Sequence, residues 1–314
     1  MGNECGLRPP SPNEIFCVGT DMLVASYSIA LLLRLSYANE KIFLGILKQI
    51  EINAKRKIAE RNAWLGPLHN EKDTFLAIKP PLLWYLFQPI YPCLWDFEKS
   101  PSCIIAHDGG KWVCGLHAIE KHAPRLSPCI VYSFGSQGNF YFERAILQSA
   151  PSCDIFTFDP TWKPNEGPAE NGIYSGTKTN ERPYTKYIGS FGLSNIDSVG
   201  HSALGFPTKR METIINIFNH SHVDILKIDI EGSEWLVLRD IDWRIVKAGQ
   251  LLIEFHPSSL NLHVSYLLDV FNKLESHGYY LTGIEPVTKT DLGQVELTFL
   301  HSGWRPSGLW APLN

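Results

Sequence analysis

Apolar residues fall into two rhythms along this chain. Early on they recur at helical spacing. Phe43, Ile46, Leu47 and Ile50 share one helical face that runs into the charged stretch 55–61, which predicts one long helix or two short ones. From residue 129 onward, short apolar runs alternate with amphipathic segments. Runs at 129–134, 154–158, 224–230 and 250–255 are apolar enough for strands buried on both faces, and 187–193, 279–284 and 295–300 bring the set to seven. Phe142, Ala145 and Ile146 give one helical face between them, and Met211, Ile214, Ile215 and Phe218 a second. Val264, Leu267, Leu268, Phe271 and Leu274 give a third, ended by Gly278. Strands alternating with helices predict an α/β fold with a doubly wound, mostly parallel sheet.

The other segments break these rhythms. Residues 22–33 carry no formal charge but are bracketed by Asp21 and Arg34, shorter than the roughly 20 apolar residues a spanning helix needs. They read as a packed or interfacial helix, with membrane association through residues 15–35 as the alternative. Pro80, Pro81, Pro89 and Pro92 interrupt the aromatic run 82–95, so 62–128 reads as an irregular cap. Residues 161–186 are polar and rich in Gly and Pro, a long loop over one rim. The expected division is a tail and helical segment (1–61), the cap (62–128), the main domain (129–303) and a tail (304–314).

Composition narrows this further. A hydrophobic fraction of 44% and a charged fraction of 19% over 314 residues describe a folded globular chain. A net charge of −4 argues against nucleic acid as a partner. The seven cysteines include no Cys-x-x-Cys, so no structural zinc site is expected. Cys129 and Cys153 open core strands and read as buried thiols, whereas Cys93, Cys103 and Cys114 are disulfide candidates in an oxidising compartment. Localisation stays open between the cytoplasm and a membrane-associated or secretory setting.

The chemistry gathers where strands end. In residues 224–235 a buried run finishes in Asp229, Glu231 and Glu234, with Gly232 for a turn and Ser233 to cap the helix that follows. Carboxyl ends of strands are where open α/β sheets hold ligands. A second strand ends in a glycine turn with Gly135 and Gly138, which lets a ligand approach the backbone. A third ends at Asp159, placed to accept both hydroxyls of a ribose, or simply to cap a turn. Glu254 and His256 end a fourth. With Asp229 and Glu231 they could stabilise a cationic ligand, bind a hard metal or remove a proton.

Together these motifs resemble class I S-adenosylmethionine-dependent methyltransferases. Lys-Ile-Asp-Ile-Glu-Gly-Ser-Glu at 227–234 resembles the FkbM-type signature. Residues 108–114, 132–135, 156–159 and 252–256 resemble an animal methyltransferase-like branch, and the likeness covers about 107–301. It implies a Rossmann-like sheet of seven strands with the last antiparallel, and S-adenosyl-L-methionine as cofactor. Gly135 and Gly138 would flank its methionine end, Asp159 would hold its ribose, and Asp229 and Glu231 would lie near the sulfonium and the acceptor. Many relatives have an acidic residue just before the first glycine, where this chain has Ser133 and Phe134. Ser133 or Glu143 must then meet the cofactor's amino group. For a hydroxyl acceptor, His256 is the expected base. A divalent metal on Asp229, Glu254 and His256 is the second choice. The acceptor, a small molecule or a protein side chain, is left open. A nicotinamide-dependent oxidoreductase and a non-catalytic cofactor-binding module are the rival readings.

Overall fold

A computed structural model describes residues 40–65, 87–100, 110–123, 127–161, 173–174, 185–198, 205–256, 264–287 and 294–310. The proposed membrane-associated stretch 15–35, Cys103 and most of the loop 161–186 lie outside these. Among the described residues no helix is long and apolar enough to cross a membrane.

The helical rhythm of the first segment forms one helix, α1 (Glu40–Leu65). The region read as irregular holds a hairpin, β1 (Phe97–Ser100) and β2 (Lys111–Cys114), and a short helix, α2 (Leu116–Lys121). The main domain follows as β3 (Cys129–Phe134), α3 (Tyr141–Ser149), β4 (Cys153–Phe158), β5 (Ile173–Tyr174), β6 (Tyr187–Gly189), β7 (Gly192–Leu193) and β8 (Thr208–Lys209). It continues with α4 (Met211–Phe218), β9 (Val223–Ile228), α5 (Glu234–Asp240), β10 (Ala248–Phe255), α6 (Val264–Ser276), β11 (Tyr279–Pro286) and β12 (Val295–His301).

Eight strands pair in the order β11-β12-β10-β9-β3-β4-β6-β5. The run β10-β9-β3-β4-β6 is parallel, and β12 is antiparallel to both its neighbours, as expected of a last strand inserted between two earlier ones. Beyond the seven expected strands, β5 adds a two-residue antiparallel edge. The run 187–193 does not stay one strand. Its first part joins the sheet as β6, while β7 leaves it to pair with β8.

Period-two alternation sorts the side chains onto two faces. Tyr132, Phe134, Leu226, Ile228, Leu251 and Ile253 pack on one side with Ile214, Trp235, Leu267 and Phe271 from α4, α5 and α6. Val131, Ile225 and Leu252 pack on the other with Ala54 of α1, Ile119 of α2 and Phe142 and Ile146 of α3. The second face is apolar only in its lower half. Towards the carboxyl ends it carries Thr157, Ser133 and Lys227 in neighbouring register positions, then Glu254 opposite Glu296. The hairpin lies on this half: Gln250 exchanges hydrogen bonds with the Cys114 backbone and Thr298 Oγ1 donates to the Trp112 carbonyl. This polar half-face is where the fold puts its chemistry.

The reading of Cys129 and Cys153 as buried thiols needs correcting. Cys129 and Cys153 are bridged, because they are register partners at the start of adjacent parallel strands, with Cα atoms 4.4 Å apart. Cys93 and Cys114 form a second bridge, which ties the segment before β1 to the end of β2.

Candidate active site

Three strand tips meet as the sequence reading requires. The Gly135 amide donates to the Phe158 carbonyl, and the Asp229 amide to the Phe134 carbonyl. Gly135 has φ +79, and a Cβ there would sit 1.7 Å from the Asp229 carbonyl oxygen. Close approach of two strand ends is enough to require glycine here.

Asp159 reaches back into this turn. Its Oδ2 accepts the amides of Ser136 (2.8 Å) and Gln137 (2.5 Å), and its Oδ1 accepts the Thr161 amide (2.8 Å) and hydroxyl (2.7 Å). Burial pushes the carboxyl up, but the donors from Thr161, Gln137 and Ser136 prevail and hold it below its ordinary value. Gly138 closes the turn at φ +74, its amide donating to Ser136 Oγ.

Ser133 and Glu143 are buried, 0% and 1% exposed. Burial raises the Glu143 carboxyl against the pull of Lys227. Lys227 Nζ in turn donates to the Gly135 carbonyl at 2.5 Å and lies 3.5 Å from Asp229 Oδ2. A buried cation therefore props the turn from below.

On the other side of Asp229 the carboxylates collect around Lys111 of the hairpin. Its ammonium, with a 1% exposed side chain, contacts Glu296, Glu254 (2.7 Å) and Asp229 (3.4 Å). Burial works against that charge, yet the three carboxylates raise the Lys111 pKa well above its ordinary value. Burial pushes Asp229 up, but Lys111 and Lys227 outweigh it and bring it down to about 2. Burial dominates at Glu296 and raises it to about 8.

His256 is 5% exposed. Its Nδ1 is 3.0 Å from Glu234 Oε1, which also accepts the amides of Ile230 and Gly232. Glu234, rather than Ser233, satisfies the turn before α5; Ser233 makes no side-chain cap. His256 Nε2 lies 3.7 Å from Glu231 and 3.6 Å from Glu254. Burial would lower this imidazole, but Glu234, Glu254 and Asp229 raise it to about 9. Ligand atoms of Asp229, Glu231 and His256 all lie within 4.8 Å of one another, close enough to share an ion. Glu254, expected in that set, is committed to Lys111 instead.

Sequence reasoning named Asp159, Asp229, Glu231, Glu254 and His256, which the structure gathers at the strand tips, but did not single out Lys111, Lys227, Glu296 or the partner role of Glu234. The signal for Lys227 and Glu296 was present: a single charge between apolar neighbours in a strand buried on both faces has to find a partner. The described cavity of 560 Å³, lined by Glu51, Tyr280, His277 and His301, is elsewhere, at the opposite ends of β11 and β12.

Strand order, the antiparallel insertion of β12, the glycine turn and the acidic tips define the class I methyltransferase fold. The chain belongs to the family described as Methyltransferase domain, whose match spans residues 38–301. It is similar to the probable methyltransferase-like protein 24 of Rattus norvegicus, 25% identical over 140 residues that cover 43% of this chain and 35% of that protein. The Homo sapiens counterpart is 27% identical over 140 residues, covering 43% and 34%. The match thus spans about a third of those relatives' length. The FkbM-type reading of 227–234 is finer than these matches.

Among solved structures, the Methanococcus jannaschii fibrillarin pre-rRNA processing protein is similar at 13% identity, over 62% of this chain and 72% of that one, with a TM-score of 0.36. Aeropyrum pernix fibrillarin, in complex with natively bound S-adenosyl-L-methionine, is similar at 12% identity over 62% and 80%, with a TM-score of 0.30.

Proposed function

We propose that this chain transfers a methyl group from S-adenosyl-L-methionine to a hydroxyl of a neutral acceptor. The observation that carries the reading is the charge balance of the rim. Asp229, Glu231, Glu234 and Glu254 face Lys111, Lys227 and His256, with Glu296 raised to about 8 and so largely protonated at neutral pH. On the β9–β10 side of the rim four negative charges thus face three positive ones, which leaves room for one more cation, and Asp159 at the tip of β4 adds to the negative field. S-adenosyl-L-methionine supplies a methyl group on a sulfonium, whose positive charge fits that deficit. With it in place no positive charge is left over to attract a phosphate or carboxylate, which favours an uncharged acceptor.

The chain's residues take defined parts. Asp159, at the tip of β4, takes the ribose. Asp229 and Glu231 set the negative potential beside the transferred group, and alignment supplies most of the rate. Glu234 fixes the His256 ring through Nδ1, so that Nε2 faces the rim. His256 is protonated in the ligand-free protein, and a second cation nearby lowers its pKa, which readies Nε2 to take the acceptor's proton. Lys111, Lys227 and His256 already neutralise most of the carboxylate charge, so we hold the metal-free version over a divalent ion.

The test is calorimetric. S-adenosyl-L-methionine should bind the wild type, and Asp229→Asn should weaken it about fivefold, ~1 kcal/mol, more than it weakens the neutral S-adenosylhomocysteine. Absence of wild-type binding, or equal losses for the two ligands, would sink the reading.

A further inference from the structure

The carboxylate assigned to the ribose is fully engaged within the protein. Asp159 Oδ2 accepts the Ser136 and Gln137 amides, and Oδ1 accepts the Thr161 amide and the Thr161 hydroxyl at 2.7 Å. An ionised carboxylate offers about four good acceptor positions. All four are taken, and the residue is 2% exposed. Ribose hydroxyls would arrive as donors, so they can bond to this group only by displacing a donor already there.

The donors are unequal. The Ser136 and Gln137 amides belong to the glycine turn, and pulling them away would take the turn apart. The Thr161 amide is fixed by the chain leaving Pro160. The Ser136 hydroxyl, 3.4 Å from Oδ2, also accepts the Gly138 amide and so belongs to the turn. The Thr161 hydroxyl hangs on a single rotatable bond, on an exposed residue, so a change of χ1 frees Oδ1 without moving the backbone.

We propose that Thr161 is a specificity-determining residue of the donor site, its hydroxyl holding the place on Asp159 Oδ1 that a ribose hydroxyl takes over. The inference rests on the methyl-donor reading above. Binding then exchanges one hydroxyl donor for another, and a ligand without ribose hydroxyls has nothing to offer in exchange. Removing the Thr161 hydroxyl should therefore strengthen binding, the opposite of what losing a structural hydrogen bond would do.

The experiment compares S-adenosylhomocysteine with its 2′,3′-dideoxy analogue by calorimetry on the full chain as wild type, Thr161→Ala and Thr161→Ser. Thr161→Ala should bind S-adenosylhomocysteine about fivefold more tightly than wild type, with no gain for the dideoxy analogue, and Thr161→Ser should restore wild-type affinity. Equal or weaker binding by Thr161→Ala, or the same gain for both ligands, overturns the proposal while leaving the donor reading intact. Failure of every form to bind S-adenosylhomocysteine overturns both. Asp159→Ala is unsuited to the question, because it also releases the turn amides and would lose affinity for either reason.

Discussion

The two halves of the rim satisfy their carboxylates by different means. On the β3–β4 side, Asp159 is held by backbone amides and a hydroxyl, all neutral donors. On the β9–β10–β12 side, Asp229, Glu254 and Glu296 are held by one buried ammonium delivered from the cap hairpin. The first arrangement keeps a negative group whose hydrogen bonds can be traded one at a time. The second is a charge cluster whose members share one cation, with Lys227 also 3.5 Å from Asp229 and His256 3.6 Å from Glu254. Loss of a donor on the first side is a local event, whereas loss of Lys111 removes the shared partner of three buried acids at once.

The largest expected effect follows directly. Lys111→Met keeps most of the side chain's volume but leaves the buried acids uncompensated, which should cost about 3–5 kcal/mol in denaturant unfolding. Adding Glu296→Leu should recover part of that, because Glu296 is 8% exposed and has an oxygen with no hydrogen-bond partner among the described residues. A single variant as stable as wild type would mean that the hairpin does not bring its ammonium to the rim.

The same contrast explains what could be read in the sequence. The sheet was legible because β3, β4, β9, β10 and β12 announce themselves as apolar runs, and burial on both faces leaves few other options. The acidic tips were legible because polar residues that end such runs have only the rim to occupy. Lys111 was not, since it acts from a four-residue strand within a Pro-broken region, too short for any periodicity to show. Nor was the split of 187–193, where pairing with residues 208–209 overrode a continuous apolar pattern. The Cys129–Cys153 bridge escaped for a related reason. Two cysteines opening two strands become partners only when the strands are adjacent and in register, which is a property of topology.

That bridge gives the second prediction, and it separates the halves again. Removing a cross-link that closes a 24-residue separation should cost about 3 kcal/mol. In Cys129→Ala/Cys153→Ala the loss falls on the two strands that carry the glycine turn and Asp159, so S-adenosyl-L-methionine affinity should fall along with the melting temperature. Cys93→Ala/Cys114→Ala instead frees the hairpin end, away from the glycine turn, and should lower stability with a smaller change in affinity. Wild type that melts at the same temperature with and without a thiol reductant would rule out both bridges.

The smallest effect concerns the point where the halves touch. Gln137, in the glycine turn, and Glu231, in the turn after β9, both have positive φ, 48 and 56, and Gln137 Nε2 is 3.4 Å from Glu231 Oε1. Left-handed backbone in such residues costs of order 1 kcal/mol each, and a long, exposed hydrogen bond returns little of it. Glycine at either position would be the more stable choice, so what the side chains provide must lie across the rim rather than within either turn. Gln137→Gly should accordingly raise stability by about 1 kcal/mol while weakening S-adenosyl-L-methionine binding, since Glu231 loses the contact that steadies it over the site. Melting curves and a calorimetric titration on the same preparation read both signs. A variant that gains stability and keeps full affinity would show that the two turns carry their strain independently, and that the halves are joined through Asp229 and Lys227 instead.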